Sequence, residues 1–213
     1  MLFRSMDLPG ISVEPIITIS GDHEVNQVFF DDVRVPKANR IGEENNGWTV
    51  AKYLLEFERG GSAHGANLRN ALNRLKNIAG QEVSDGEGAL IDDPAFRRKV
   101  DEAEVEVTAV EFTEHRIMSS LSSGQNPGAA ASMIKLRGST MTQTITELGV
   151  EAISHYIAPH VMEARTWGSN VAPVGPDHTL MVVPKYMNGR ANTIFGGSNE
   201  VQRNIMAKAV LGL

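Results

Sequence analysis

Residues 47–79 read GWTVAKYLLEFERGGSAHGANLRNALNRLKNIA, and this stretch predicts one long helix from Gly47 to Ala79. Apolar and small side chains recur in it every three or four positions, which is typical of an amphipathic helix with one face turned inward. Glu58 lies in the middle of that face, where a carboxylate is costly unless it is paired, hydrogen-bonded or protonated. Small residues follow on the same face, among them Ser62 and Gly65, and they leave room beside the acid. Two interpretations stay open: an acid that faces a ligand, or a buried acid neutralised by a nearby arginine.

The composition limits the class of protein. A chain of 213 residues is long enough for one large domain or two small ones with a hydrophobic core. Its formal net charge of -6 argues against a nucleic-acid-binding surface, which needs clustered lysine and arginine. There is no cysteine, so disulfides and thiolate metal sites are excluded, and the six histidines show no metal-ligand spacing. No apolar run is long enough to cross a bilayer, and we expect a cytoplasmic protein without a membrane or nucleic-acid partner.

Residues 1–42 have the pattern of β-structure. A β-branched run from Ile11 to Ile19 and a second strand from Asn26 to Val35 flank a turn at Gly21-Asp22. Two strands do not form a stable sheet alone. We therefore expect residues 1–42 to be the tail of a middle β domain whose beginning is missing, or a domain that another chain completes.

Residues 43–213 predict a second domain, a four-helix antiparallel bundle, so that the chain as a whole is mainly α. Four segments with helical spacing make up the bundle: Gly47–Ala79, Pro94 to about Ser122, Gly128 to about Ser154, and a last helix that follows Gly196-Gly197 and runs through Leu211. Asn199 and Gln202 have the spacing of a capping box at the start of the last helix. Residues 158–186 contain four prolines and show no regular pattern.

Several polar side chains are interpreted as structural. His64 is expected to be a hydrogen-bonded structural histidine. Four glutamates of the second helix are expected to lie on an exposed face, where helix charge is cheap in water: Glu102, Glu104, Glu106 and Glu111.

A second informative stretch is IFGGSNEVQR, residues 194–203. Gly196 and Gly197 let a backbone approach a ligand closely, and the helix that follows points its free N–H groups and positive dipole end back at them. A phosphate, a carbonyl or the edge of an isoalloxazine ring would suit such a place. Turn chemistry alone explains a Gly-Gly pair before a helix equally well.

Four segments, taken together in order and spacing, resemble the acyl-CoA dehydrogenase family. They are VFFDDVRVP at residues 28–36, Gly47-Trp48, Phe57-Glu58-Arg59-Gly60, and GGSNEVQRNI at residues 196–205. The likeness runs from the end of the family's middle β domain through its C-terminal helical domain. The family's N-terminal helical domain and most of its β domain have no counterpart, so we expect a fragment, a truncated product or one half of a split enzyme.

The resemblance implies a reaction. A carboxylate removes the α proton of an acyl-CoA thioester, FAD takes the β hydrogen as hydride, the product is a trans-2-enoyl-CoA, and the electrons leave to an electron-transfer flavoprotein. In most members the base is a glutamate just before the glycine of the C-terminal motif, and Gly196 stands at that position here. In isovaleryl- and long-chain-type members the base lies on the long helix, immediately before an arginine. Glu58-Arg59 matches that arrangement, which implies that Glu58 is the catalytic base.

The same likeness assigns roles to the neighbours of both segments. The candidate substrate-binding residues are Glu56, Arg59 and Gly197, and the candidate cofactor-binding residues are Gly196, Ser198 and Glu200. Arg59 would position the base or the substrate, and a structural pairing with Glu58 or Glu56 is compatible with that role. No residue is proposed as a metal ligand.

Two features of the family have no match in the chain. Acidic residues 81–86 stand where an Arg-x-x-Phe-Gly segment normally reaches the flavin pyrophosphate of the neighbouring subunit, and residues 148–152 replace the Gln-x-x-Gly-Gly flavin loop. Both losses resemble a divergent branch that includes mixed assemblies in which one partner supplies the flavin contacts. By analogy we expect a homodimer, a homotetramer or such a mixed assembly. The alternative functions are a non-catalytic scaffold or oligomerisation subunit without its own flavin, and a related flavin monooxygenase or oxidase.

Overall fold

The computed structural model describes residues 5–58, 64–86, 88–125 and 128–213, and it describes residues 55–58 by their backbone only. The chain divides into two compact units, Met1–Ser62 and Ala63–Leu213. The predicted division into domains after residue 42 stays a prediction. Within the described residues, none of the helices combines the length and the apolar composition that crossing a bilayer requires.

The first unit contains a two-stranded antiparallel sheet and one helix. Strand β1 spans Ile11–Ile17, strand β2 spans His23–Phe30, and helix α1 spans Gly47–Glu58. The second strand was predicted to continue to Val35, and that prediction was wrong. The strand ends at Phe30 because Asp32 adopts a left-handed φ of 45°, which turns the chain out of the extended conformation.

The sheet leaves apolar side chains exposed on both of its faces. Phe29 and Phe30, which point to opposite faces, are 51% and 53% exposed. Exposed phenylalanines on both faces leave apolar surface of the sheet in contact with water, and the expected completion of the β domain stays a prediction.

Among its described residues, the second unit contains five α-helices, with short 3-10 turns between them. Their bounds are α2 His64–Ala79, α3 Pro94–Ser122, α4 Ala130–Ile153, α5 Val182–Gly189 and α6 Asn199–Met206, the last of which continues as a π-helical turn over Ala207–Leu211. Helices α3 and α4 end within two residues of the predicted limits. The prediction of one continuous helix from Gly47 to Ala79 depends on residues 59–63, which lie outside the described residues.

Helix α5 lies in a region where the sequence indicated no regular structure. It begins at Val182, so that Pro184 falls in its first turn. A proline is tolerated there because the first N–H groups of a helix have no partner within the helix. The density of prolines therefore hid a short helix.

The core of the second unit lies between α2, α3 and α4. Leu72, Val107 and Ile153 have no exposed surface. Helix α3 begins with a cap, since Asp93 Oδ1 accepts the backbone N–H groups of Ala95 at 2.9 Å and Phe96 at 3.0 Å.

Helices α2 and α3 come close together at Gly65. A Cβ atom added to Gly65 would lie only 2.9 Å from Glu111 Cγ and 2.9 Å from Glu114 Oε2. Only a glycine permits this separation, so the position fixes how the two helices pack.

The expectation that Glu104 and Glu111 are exposed was wrong. Both are part-buried and pair with Arg69 of α2: Arg69 Nη1 donates to Glu104 Oε1 at 3.0 Å, and Arg69 Nε donates to Glu111 Oε1 at 3.0 Å. The hydrogen bond from Arg69 lowers the pKa of Glu111, and that of Glu104 is lowered first by Lys76 and then by Arg69. This network joins α2 to α3 beside the apolar core.

The core assignment can be tested with two valines of α3 that differ only in burial. Val107→Ala should lower the free energy of unfolding by about 2 kcal/mol, because it removes two methyl groups worth about 0.8 kcal/mol each and leaves a small cavity. Val105→Ala is the matched control, since Val105 is 70% exposed and Val107 is 0% exposed. The control should change stability by less than about 0.5 kcal/mol. Equal losses in urea denaturation would contradict the packing described.

Candidate active site at the glycine loop

The glycine loop, residues 195–198, precedes helix α6 and has an unusual backbone. Gly196 has a φ of 66° and Gly197 a φ of 86°, which is the left-handed region that favours glycine. A Cβ atom at Gly197 would lie 2.6 Å from Gln202 Nε2, whereas at Gly196 the nearest atom, Lys135 Cε, would be 3.9 Å away. The backbone conformation therefore favours glycine at both positions, while an added side chain would meet only the end of the flexible Gln202 side chain at residue 197 and an ordinary contact at residue 196.

The helix after the loop begins with a serine cap. Ser198 Oγ accepts the backbone N–H of Val201 at 3.4 Å. The predicted capping box of Asn199 and Gln202 was wrong, because Ser198 caps the helix and the side chain of Asn199 is buried elsewhere. The candidate residue Ser198 therefore has a structural role whatever else it binds.

Glu200 lies exposed in the first turn of α6. Hydrogen bonds from its own backbone N–H and from the Ser198 side chain lower its pKa, and the charges of Arg203 and Lys135 lower it further. Arg203 Nη1 lies 3.5 Å from Glu200 Oε1. The residue is thus a charged carboxylate at the positive end of a helix.

Asn199 is the buried polar residue that joins the loop to α4. It is 5% exposed, and its Oδ1 accepts Ser139 Oγ at 2.9 Å and Lys135 Nζ at 3.1 Å. Lys135 Nζ also donates to the carbonyl oxygen of Asn192 at 3.1 Å. Burial lowers the pKa of Lys135, and the charge of Glu200 acts in the opposite direction.

A stripe of polar side chains along one side of α4 forms hydrogen bonds with residues between 189 and 199. Its members recur at helical spacing and are Lys135, Ser139, Gln143 and Thr146. Gln143 Nε2 donates to the carbonyl oxygens of residues 189 and 190, each at 3.3 Å. Arg190 Nη2 in turn donates to the carbonyl oxygen of Gln143 at 3.4 Å. The Arg190 guanidinium lies 4.3 Å from the centre of the Tyr186 ring. The glycine loop is therefore positioned by polar contacts along the length of α4.

The start of α2 contacts both α3 and the same part of α4. On the α3 side, the backbone N–H groups of His64 and Gly65 donate to the two carboxylate oxygens of Glu114, each at 2.9 Å. The His64 ring packs against Gly138, where an added Cβ atom would lie 3.0 Å from Nδ1. Burial lowers the pKa of His64, the charge of Glu114 raises it and the charge of Lys135 lowers it. Residues 135–139 of α4 thus contact the first turn of α2 and the first turn of α6.

The candidate residues of the sequence analysis fall into two groups. Gly196, Gly197, Ser198 and Glu200 lie together at the glycine loop. Glu56 and Glu58 belong to the end of α1, of which only the backbone is described, and Arg59 lies outside the described residues.

The sequence analysis missed Lys135 and Ser139, and it gave Asn199 a local capping role in place of its contact with α4. Lys135 and Ser139 are four residues apart, so a polar pair at helical spacing was the signal available. Among the described residues, no group of three or more histidine or acidic side chains is arranged to hold a metal ion.

The burial of His64 predicts a dependence of stability on pH. The folded state lowers the pKa of His64 below its ordinary value of 6.5, so the unfolded state binds more protons as the pH falls past that value. The contribution of neutral His64 to stability is fully present above about pH 6.5 and is lost as the pH falls through the lowered pKa. His64→Gln should flatten the loss of unfolding free energy between about pH 7 and pH 5.

Chemical denaturation across that pH range measures the effect. His23→Gln serves as the control because His23 lies on the exposed strand β2, and this variant should keep the parent's pH dependence. A slope unchanged by His64→Gln would show that other groups govern acid sensitivity.

Comparison with known proteins identifies the family. Residues 45–211 match the family model described as acyl-CoA dehydrogenase, C-terminal domain. Acyl-CoA dehydrogenase IpdE1 of Mycolicibacterium smegmatis is 31% identical over 212 residues, covering 100% of this chain and 48% of the relative. The IpdE1 of Mycobacterium tuberculosis is 32% identical over 220 residues, covering 100% of this chain and 50% of the relative.

The solved structures agree with the sequence comparison. The ChsE4-ChsE5 complex from Mycobacterium tuberculosis matches with a TM-score of 0.79 and 26% identity, covering 100% of this chain and 52% of the matched one. Butyryl-CoA dehydrogenase from Megasphaera elsdenii shares the fold, with a TM-score of 0.73 at 20% identity over 99% of this chain and 51% of the other. The chain spans about half the length of the curated relatives that it matches. The fold class predicted from the sequence is confirmed, and the chain belongs to the acyl-CoA dehydrogenase family.

Proposed function

We propose that the protein carrying this chain is a FAD-dependent dehydrogenase that converts an acyl-CoA thioester to a trans-2-enoyl-CoA and passes the electrons to an electron-transfer flavoprotein. One observation supports this most: in a chain that matches the family's C-terminal domain, two glycines with left-handed φ values lie directly before the start of α6. When bound, FAD supplies the acceptor for the hydride from the β carbon.

The residues of the loop suit the flavin and the thioester in different ways. Gly196 and Gly197 allow the backbone to come close to a flat ring or a carbonyl, and the dipole of α6 favours partial negative charge there. The low pKa of Glu200 keeps its carboxylate charged, which suits a hydrogen bond from a ribose hydroxyl and disfavours a phosphate. Gly197 is accordingly assigned to the thioester, and Gly196, Ser198 and Glu200 to the flavin.

Glu58 is proposed as the base that removes the α proton. It is the last residue of α1, and the sequence periodicity predicts that it lies on the apolar face of a helix. A base for this proton must be a carboxylate in a dry site with its pKa raised toward that of the activated proton. Arg59 and Glu56, its neighbours in sequence, are proposed to position the base and the substrate.

Replacement of Glu58 tests the proposed chemistry. In the complete protein loaded with FAD, Glu58→Gln should keep acyl-CoA binding and slow flavin reduction by about 10²–10⁴-fold, the usual contribution of a general base. Bleaching of the visible flavin band after anaerobic mixing with acyl-CoAs of varied length and branching measures the rate. Glu44→Gln is the matched control because Glu44 is an exposed residue paired with Arg40, and it should reduce at the parent's rate. A parental rate in Glu58→Gln would exclude Glu58 as the base.

A mixed assembly is proposed because two structural observations weaken a flavin site made by this chain alone. Residues 148–152, which replace the usual flavin loop, lie inside helix α4 with Leu148, Gly149 and Ala152 buried. In the acidic segment 81–86, the Glu82 carboxylate is bound to His178 Nε2 at 2.6 Å. Neither segment presents a cation or an amide loop to a flavin, so a partner subunit is the proposed source of those contacts.

These observations also favour the second candidate, a scaffold subunit without a flavin of its own. The two functions differ in how much FAD the native assembly holds and in what that FAD does. If the chain forms an active site with its partner, the purified assembly should contain about one FAD for each copy of this chain, and an acyl-CoA should bleach it. Native mass spectrometry together with the flavin spectrum measures both quantities. An assembly in which FAD persists after this chain is removed, with full activity, would identify the chain as a scaffold.

A further inference from the structure

We propose that Lys135 is a positioning residue that holds the glycine loop in the shape that flavin reduction needs; the inference rests on the proposed function of that loop. Its ammonium group bridges the two ends of the segment that contains the loop. Nζ donates to the carbonyl oxygen of Asn192 before the loop and to Oδ1 of Asn199 after it, each at 3.1 Å. One side chain thereby links the residues on either side of the two glycines.

The contact is more than a chance surface interaction. Lys135 is half-buried, and burial lowers its pKa, which means that part of its hydration is lost on folding. Fixing a long lysine side chain also costs conformational entropy. Two hydrogen bonds and the charge of Glu200 offset these free-energy costs, and they keep the charged ammonium group in its partly buried position.

The second end of the bridge is held by another residue of α4. Ser139 Oγ lies 2.9 Å from the same Asn199 Oδ1 and 3.0 Å from the Leu136 carbonyl oxygen, so that its one proton is within reach of both acceptors. Loss of Lys135 should therefore leave α6 attached to α4 through Ser139 while it frees the Asn192 end. Because Ser139 holds only the Asn199 end, loss of Lys135 should change the shape of the loop without detaching α6 from α4.

The position of Lys135 also relates the loop to the start of α2. The charge of Lys135 acts on His64, whose ring packs against Gly138 one turn further along α4. The first turns of α2 and α6 are thus both arranged around residues 135–139. Lys135 acts on the reaction through this arrangement and does not need to touch the substrate.

The experiment compares Lys135→Met with Lys99→Met in the complete protein. Lys99 is the matched control because it pairs with Glu151 at 2.5 Å on an exposed part of α3. In Lys135→Met, amide hydrogen exchange across residues 193–198 should quicken by about tenfold, while exchange in the middle of α3 stays at the parent's rate. At saturating acyl-CoA, flavin reduction should slow by about 10²-fold, the effect of a misplacement near 1 Å, with little change in substrate affinity.

Two more variants separate positioning from a purely structural effect. Lys135→Ala should regain part of its flavin reduction when ethylammonium is added, since a small cation can occupy the vacated site, and a loss of fold would not respond in this way. Lys135→Arg keeps the charge and should retain more activity than Lys135→Met. Lys135→Ala without added ethylammonium serves as the test protein if the methionine variant does not fold.

The outcomes distinguish the two proposals. Unchanged exchange in residues 193–198 of Lys135→Met overturns the bridge, and faster exchange with unchanged flavin reduction overturns its role in the reaction. If no acyl-CoA reduces the flavin of the parent protein, the proposed function fails, and the proposed positioning of the reaction fails with it. The exchange data then still decide whether Lys135 holds the loop.

Discussion

The arrangement of the candidate site depends on one buried amide. Asn199 lies at the start of α6 with 5% of its surface exposed, and a buried polar group without hydrogen bonds costs about 1–3 kcal/mol. Its oxygen accepts hydrogen bonds from two residues of α4, Ser139 and Lys135. The amide therefore fixes where α6 begins, and the glycines before it must follow. Their left-handed φ values are a consequence of that fixed end as much as of the local sequence.

A second set of polar contacts fixes how α2 and α3 pack against each other. Arg69 binds Glu104 and Glu111 across the interface between α2 and α3, and Glu114 receives the N–H groups at the start of α2. Gly65 allows the two helices to come close enough for these contacts. The polar groups specify the register of the helices, while the apolar core supplies most of the stabilising burial. Glu114 contacts the first turn of α2, and the polar stripe of α4 contacts the first turn of α6, which follows the loop that the proposed chemistry uses.

Local signals could be predicted from the sequence, and partners distant in the chain could not. The start of α3 is specified locally by Asp93 and Pro94, whose cap and fixed φ act within one turn. Asn199 was assigned to a capping box because spacing shows only local partners, whereas its real partners are on another helix. Glu111 looked solvent-exposed for the same reason, since Arg69 is distant in sequence. The glycine loop was located from its own residues, but the lysine that holds it was not.

The charges around the loop bear on why a lysine, and not a neutral donor, occupies position 135. Its ammonium group lies beside the positive end of α6, and two like charges there disfavour the folded state. Glu200 partly relieves this repulsion, and the same interactions lower its pKa. The loop itself is exposed at residues 194–197, and the Lys135 ammonium group is held next to it by Asn192 and Asn199. In the proposed reaction, removal of the α proton places negative charge on the thioester oxygen. A cation already fixed beside the loop would stabilise that charge without rearrangement, which is a physical reason for a charged donor at position 135.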